Sequence, residues 1–206
     1  MHRSYKRFIE SINGLDNVSL LYCHINDTLH LPLDSSDLLR WEWVQCVSSL
    51  DKLVHDLVRT GMIEIFSGIR KPTDNFNTFL VDVSTLMAMI DSRENREKVF
   101  ESRIIMVHKG KSFQMPSSIS DALSSIISDR DKWSVIARKM GITKEDCVTE
   151  LKNIVIRRNQ IVHEGDYADI YDERQRVEYL DVCEVRDFIL KLGNAIYEYV
   201  RLEDTD

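Results

Sequence analysis

The segment LKNIVIRRNQIVHEGD, residues 151–166, constrains the fold of this chain more than any other stretch. Its apolar residues recur at the spacing of one face of an α-helix, at Leu151, Ile154, Val155, Ile161 and Val162. Arg158 falls inside that apolar stripe, between Val155 and Val162. Because a charge removed from water without compensation costs several kcal/mol, this arginine requires either a partner or a function.

Two further polar residues flank the stripe. Asn159 and His163 are four residues apart, so they lie about 40° from each other around the helix axis and their side chains can touch. Arg158 and His163 diverge by about 140°. Two copies of the helix packed about a twofold axis would bring an arginine and a histidine into one groove more readily than a single helix.

These residues carry a resemblance to a known family. The pattern formed by Arg158, Asn159 and His163 resembles the Rx4-6H motif of HEPN domains, in which a polar residue commonly follows the arginine. The longer string RRNQIVHEGD resembles the RiboL-PSP type of HEPN protein, and the segment Trp43–Arg59 is similar to the first long helix of that group. The resemblance covers the chain from about Ser35 to Val200, and it implies an all-α, HEPN-type helical bundle with additional helices.

The resemblance also implies a function. Similar proteins are metal-independent endoribonucleases that act as homodimers, leave 2′,3′-cyclic phosphate and 5′-hydroxyl ends, and serve as toxins or anti-phage defence effectors. By this resemblance Arg158, Asn159 and His163 are the catalytic residues, RNA is the substrate, and an antitoxin or defence-system protein is a further partner. It implies no cofactor and no metal site.

The residue types fit that chemistry. RNA cleavage without a metal needs a base for the 2′-hydroxyl proton, an acid for the 5′-oxygen, and positive charge beside the phosphorane. Histidine suits the proton transfers because its reference pKa is about 6.5, and arginine grips phosphate oxygens at two points without losing its charge. Asn159 would orient His163 or bind the scissile phosphate.

Two alternatives remain open at this stage. In the first, Arg158 closes a buried ion pair with a carboxylate such as Asp51, and His163 only caps the end of its helix. In the second, the chain is a non-catalytic HEPN-fold adaptor that binds a protein through its acidic C-terminal segment. That segment, residues 164–206, has 13 acidic and 5 basic residues, whereas residues 1–163 have 21 acidic and 22 basic residues.

This charge distribution limits the contact with RNA. The net charge of −7 argues against a broad nucleic-acid-coating surface, so we expect a small contact confined to the site. Arg157 and Lys152 on the motif helix, and Arg103 and Lys109 in the basic stretch 91–111, are the candidate RNA-binding residues. The alternative for the stretch 91–111 is a merely solvated helix face.

The remaining pattern predicts other helices. A core helix should run from residue 35 to about Thr60, where Gly61 stops or bends it, with a second short helix at 62–69. On it, Asp51 and His55 are either neighbours of the Arg158 groove or a solvated pair at i,i+4 spacing. Further helices are expected at 76–90, 121–128, 131–140 and 176–202, the first with Phe79, Val83, Leu86 and Met87 in the core.

We therefore predict a single HEPN-like domain over residues 1–206, with a helical extension at 1–34 and a bundle at 35–206 that contains the motif helix at about 144–164. At 206 residues the chain is long enough for one substantial core. The four scattered cysteines, the lack of a signal-peptide pattern and the lack of a ~20-residue apolar run indicate a cytoplasmic protein without membrane insertion.

Overall fold

The computed structural model describes residues 1–91, 93–167 and 173–201. Within these ranges the chain folds into α-helices joined by turns, and its only β-type pairing is an isolated bridge between Tyr167 and Arg174. The prediction of an all-α fold is confirmed. The helices are α1 His2–Gly14, α2 Asp16–Cys23, α3 Ser36–Phe66, α4 Asp74–Asn77, α5 Val83–Asp91, α6 Arg96–His108, α7 Pro116–Leu123, α8 Lys132–Met140, α9 Lys144–His163 and α10 Tyr179–Val200, with a π-helical turn at His24–Thr28 and a 3₁₀ turn at Arg93–Asn95.

Helix α3 is the centre of the bundle. It packs against α1, α2, α6, α7, α9 and α10, and its apolar residues from Cys46 to Ile65 supply much of the main core. The prediction that Gly61 stops or bends this helix is wrong, because α3 continues unbroken to Phe66. A Cβ on Gly61 would lie 2.6 Å from a methyl group of Ile126, so the glycine allows close approach of the segment after α7.

The ends of α8 and α9 follow from local sequence. Gly141 ends α8 in the left-handed conformation, with φ of +74°, as its position after the apolar run predicts. Thr143 then caps α9, since its hydroxyl oxygen accepts a hydrogen bond from the backbone N–H of Asp146 at 3.1 Å. The turn between the two helices therefore fixes where α9 begins.

The segment after α3 differs from the prediction. The helix expected at 76–90 is divided into α4 and α5, and Asp82 begins α5 by accepting a hydrogen bond from the N–H of Thr85 at 2.9 Å. No residue of α5 is buried, and Val83 is 75% exposed. The prediction that Val83, Leu86 and Met87 lie in the core is therefore wrong. Helix α7 also begins earlier than expected, at Pro116.

The N-terminal helices are part of the bundle. Phe8 and Ile12 of α1 lie in the main core. Ser19 of α2 donates a hydrogen bond of 2.7 Å to Glu42, a fully buried carboxylate of α3 that also pairs with Arg186 of α10 at 3.1 Å. In the described part of the chain, none of the helices has the length and apolarity needed to cross a membrane.

Candidate functional site

The motif helix α9 is covered by the bundle along only part of its length. Its buried residues are Cys147, Leu151, Ile154 and Val155, and the backbone oxygen of Ile154 accepts a hydrogen bond of 3.0 Å from the Trp43 indole. Beyond this point the apolar stripe leaves the core, and Val162 is 45% exposed. The expectation that Val162 continues the buried stripe is wrong for a single copy of the chain.

Arg158 lies where the stripe emerges from the core. Its side chain is half-buried, and its Nη1 donates a hydrogen bond of 3.1 Å to Oδ1 of Asn159. Its Nε is shielded from solvent without a hydrogen-bond partner, and none of the described carboxylates pairs with this guanidinium. Asp51, the carboxylate considered as its partner, instead accepts a hydrogen bond from the backbone N–H of Phe113.

His163 is the last residue of α9. It is exposed, and its imidazole forms no hydrogen bond or ion pair with the part of the chain that the structure describes. The structure therefore joins Arg158 to Asn159 by a hydrogen bond and shows none between His163 and either of them within one copy. An exposed imidazole on the final turn is free to exchange protons with a bound substrate.

The buried ion pair near the motif belongs to Arg157, the residue before Arg158. Arg157 Nη2 lies 2.9 Å from Oδ2 of Asp166, and Arg40 Nε lies 2.7 Å from the same oxygen. Asp166 is fully buried, and Arg40 is 5% exposed. We call these three residues the Asp166 tether. Arg157, predicted to contact solvent or RNA phosphate, instead joins the motif helix to α3.

The tether also holds the backbone that follows α9. Asp166 has a φ of +69°, its N–H donates to the oxygen of Gln160 at 3.1 Å, and its oxygen accepts from the N–H of Gln175 at 2.7 Å. Burial lowers the pKa of Arg157 while Asp166 raises it, and arginine stays charged in proteins. Sequence reasoning missed Arg40 and Asp166, because a pairing over 126 positions leaves no periodic signal.

Comparison with known proteins identifies the family. A family model described as RiboL-PSP-HEPN matches residues 10–201. The chain belongs to the RiboL-PSP-HEPN family. No curated protein matches it, and neither does any solved structure. HEPN domains are often ribonucleases, so membership makes the motif helix of this HEPN domain a candidate active site.

Two of the predicted neighbours lie elsewhere in the HEPN domain. Asp51 and His55 are on α3, about 16 and 22 Å beyond Arg40 along the helix. His55 Nε2 is 3.2 Å from the backbone oxygen of Lys111, and it lies 3.9 Å from Asp51. The structure thus places this pair beside the segment after α6 and not beside Arg158.

The candidate RNA-binding residues are spread over two helices of the HEPN domain. Lys152 is exposed on α9, on the same side of the helix as Asn159 and His163, so it remains a candidate. Lys109 is exposed immediately after α6. Arg103 is engaged with the segment before α5, because its Nη1 lies 3.1 Å from Asp82.

A wide cleft of the HEPN domain is separate from the motif. It has a volume of about 820 Å³ and lies between α6 and α7, where Phe79, His108 and Phe113 form part of its wall. Its charges are balanced, since Arg103 pairs with Asp82 and the cleft contains both Lys111 and Asp121. Among the residues that the structure describes, no three His, Cys, Asp or Glu side chains are grouped so that they could hold a metal ion.

Proposed function

We propose that this HEPN protein is a metal-independent endoribonuclease whose active site forms between two copies of the chain. The observation that carries the proposal is Arg158, a half-buried guanidinium in the family motif that has no carboxylate partner among the described residues. A structural arginine at this depth would normally be paired, because burial of an unpaired charge is costly. An RNA phosphate would provide the missing partner and accept two hydrogen bonds from the guanidinium.

The surface around Arg158 supports a second copy of the chain as the missing half of the site. Val162 is 45% exposed, although it belongs to the apolar stripe of the motif helix. Exposed apolar groups that extend a buried stripe are typical of a surface that another helix covers. A twofold contact here would place Arg158 of each copy near His163 of the other.

The proposed reaction divides its proton transfers between two histidines. His163 of one copy removes the proton from the ribose 2′-hydroxyl, and the 2′-oxygen attacks the adjacent phosphorus. The bond from phosphorus to the 5′-oxygen breaks, and His163 of the second copy supplies the proton to that oxygen. The two Arg158 guanidiniums stabilise the charge on the phosphorane, and Asn159 holds the scissile phosphate or the arginine. The products carry a 2′,3′-cyclic phosphate and a 5′-hydroxyl.

Subunit mixing tests this composite site. Arg158→Ala and His163→Ala should each lower kcat/KM for RNA cleavage by about 10²–10⁴, as loss of an acid–base group or of phosphoryl stabilisation does. When the two inactive variants are refolded together, the shared site of a mixed dimer keeps one Arg158, from one copy, and one His163, from the other, whereas each variant alone has lost both copies of one of these residues. We expect these dimers to recover part of the activity, while each variant refolded alone stays inactive.

The control variant is Arg138→Ala, which removes an exposed arginine of α8. Arg157 does not serve as a control because it belongs to the tether. Arg138→Ala should cleave RNA at the rate of the parent. Two results would contradict the proposal: cleavage by the single variants at the rate of the parent, or a parent that leaves RNA intact under all conditions tested.

The biological role that we propose is that of a toxin or anti-phage effector. It rests on the resemblance of the motif residues to such proteins. Expression of the parent should arrest growth of a host cell, and expression of His163→Ala should not. An antitoxin or defence-system protein would then be needed to restrain the parent.

A specific observation favours the adaptor as a second candidate. Helices α5 and α6 expose a second apolar surface, formed by Leu86, Met87, Ile90, Ile105 and Met106. Several large apolar side chains exposed on two helices that pack together are typical of protein interaction sites. A chain that binds a partner through this surface and never degrades RNA would support the adaptor and exclude the nuclease.

A further inference from the structure

We propose that Asp166 is a positioning residue for His163, acting through the tether to Arg40 and Arg157. The inference rests on the proposed function, because it assigns to Asp166 the task of directing the catalytic imidazole towards the RNA. Asp166 itself is fully buried and does not contact substrate in this scheme.

The first argument is the number of elements that hold Asp166. Its Oδ2 accepts from Arg40 of α3 at 2.7 Å and from Arg157 of α9 at 2.9 Å. Its backbone N–H and oxygen bond to Gln160 and Gln175, respectively. Asp166 is therefore fixed by two helices and by the segment before α10. Backbone held at this many points cannot follow the fraying that is usual at a helix end.

The second argument is where His163 lies between the fixed points. Arg157 precedes it by six residues and Asp166 follows it by three, so the last two turns of the helix lie between points that the tether fixes. With the part of the chain that the structure describes, His163 forms no hydrogen bond or ion pair that would hold its side chain. Its direction therefore depends on the backbone of this turn. A displacement of 1 Å in a catalytic group can cost about 10²-fold in rate.

The third argument is the free-energy cost of burying the charged groups of the tether, which is high for a contact that only holds a loop. Among the residues that the structure describes, Asp166 Oδ1 is buried without a hydrogen-bond partner, although Oδ2 receives two guanidiniums. Apolar side chains of similar volume often hold such a contact at lower cost than a buried ion pair. A charged anchor gives directional bonds of fixed geometry, which suits the orientation of a neighbouring catalytic turn.

The charges of the surrounding cluster provide a matched control. Asp37, with a side chain 68% exposed, also pairs with Arg40, at 3.5 Å, and with Arg174. Asp166→Asn and Asp37→Asn each remove one negative charge from this cluster, but Asp166 is itself part of the turn after His163, whereas Asp37 reaches that turn only through Arg174, whose Nε donates to the backbone oxygen of Gly165 at 3.2 Å. Both variants should strengthen the attraction of the cluster for RNA, so an electrostatic role would lower KM in both.

The experiment measures kcat and KM for RNA cleavage with the full chain, together with the NMR signals of its labelled histidine rings, assigned with His163→Gln. For Asp166→Asn we expect kcat to fall by about 10- to 100-fold without a rise in KM, and the His163 signals to shift or broaden while those of His108 stay in place. For Asp37→Asn we expect kcat within about threefold of the parent, since its contact is at the surface.

Three results would overturn the inference. The first is a His163 signal in Asp166→Asn that is identical to that of the parent. The second is an equal loss of kcat in Asp37→Asn. The third is a loss of activity that matches the unfolded fraction measured by circular dichroism at the assay temperature. If Asp166→Asn does not fold, Arg157→Lys replaces it, because lysine keeps the charge and loses the planar group whose Nη2 donates to Asp166 and to the backbone oxygens of Gln175 and Arg176.

The inference and the proposed function fail in different ways. If the parent does not cleave RNA, the proposed function is wrong, and the His163 signals still report whether Asp166 fixes the imidazole. If the parent cleaves RNA and Asp166→Asn cleaves it equally fast, the nuclease stands and the positioning role is wrong.

Discussion

Arg40 Nε lies 2.7 Å from Asp166 Oδ2. This ion pair joins the first turns of α3 to the turn after the motif helix, because Asp166 lies three residues beyond the end of that helix. Arg40 also donates to the backbone oxygen of Gln175 at 2.8 Å and to the hydroxyl of Ser36. The guanidinium thus has partners on three segments. The end of α9 is held by charge and hydrogen bonds, whereas its middle is held by apolar packing.

Loss of Arg40 should therefore destabilise the fold. In Arg40→Leu the buried carboxylate of Asp166 keeps only Arg157 as its ionic partner, and we expect the free energy of unfolding to fall by about 3 kcal/mol. Urea denaturation at neutral pH measures this change. Arg174→Leu is the control, because Arg174 pairs with the exposed Asp37 and its loss should cost at most about 1 kcal/mol. Equal losses in the two variants would contradict a special role for the buried pair.

The contact between α1 and α10 gives a second prediction. A Cβ on Gly193 would overlap the ring of Phe8, so Gly193→Ala should lower the free energy of unfolding by about 1–3 kcal/mol. A Cβ on Gly14 meets no atom within 4 Å, and Gly14→Ala should leave stability unchanged or raise it by up to about 1 kcal/mol. Thermal and urea unfolding of both variants checks this. A stable Gly193→Ala would mean that α1 is packed less tightly than the structure shows.

The parts of the fold that the sequence predicts are those with local causes. The start of α9 depends on Thr143, and the end of α8 depends on Gly141, and both act within a few residues of themselves. The apolar repeat of α9 depends on neighbouring turns of one helix. These features need no knowledge of the rest of the chain, so the bounds of α9 agree closely with the prediction.

The parts that the sequence does not predict depend on distant partners. Gly61 resembles a glycine that ends a helix, yet it lies within α3, where a Cβ would clash with the side chain of Ile126. Leu86 and Met87 have the spacing of a core face, but a periodic pattern does not say which partner covers that face. For the candidate site, the pattern identified an arginine that needs explanation. The pattern could not show that the buried carboxylate of Asp166 pairs with Arg157 and not with Arg158.

His108 gives a prediction about pH. Burial, with Lys111 and His55 adding to it, lowers the pKa of His108 to about 4. An unfolded chain binds this proton below a pH of about 6.5, so between pH 6.5 and 4 the unfolded state holds more protons and the fold loses stability as the pH falls. From pH 7 to pH 5 the loss due to His108 should be about 2 kcal/mol.

His108→Phe isolates this contribution. Phenylalanine fits the aromatic surroundings of Phe79 and Phe113 and removes a buried Nδ1 that has no hydrogen-bond partner. We expect the variant to show a shallower dependence of unfolding free energy on pH than the parent in the window from pH 6.5 to 4. Denaturant unfolding at intervals of half a pH unit measures both proteins. Parallel curves would show that His108 is protonated equally in the two states.

Association through the end of α9 is the last prediction. Val162 is 45% exposed, so Val162→Asp should leave the single chain folded, and its helicity by circular dichroism should equal that of the parent. In a twofold contact the two aspartates would face each other in an apolar setting. The dissociation constant of the dimer should then rise by at least about 100-fold, which corresponds to about 3 kcal/mol.

The control for this prediction is Ile142→Asp. Ile142 is 39% exposed and lies before the first turn of α9, at least roughly 25 Å from Val162 along the helix. It should leave the dissociation constant unchanged, as measured by sedimentation velocity over a range of concentrations. RNA cleavage should fall with the dimer fraction in Val162→Asp and stay constant in Ile142→Asp. A Val162→Asp protein that remains dimeric and active would place the contact between copies on another face. The proposed pairing of Arg158 with His163 of the other copy would then be wrong.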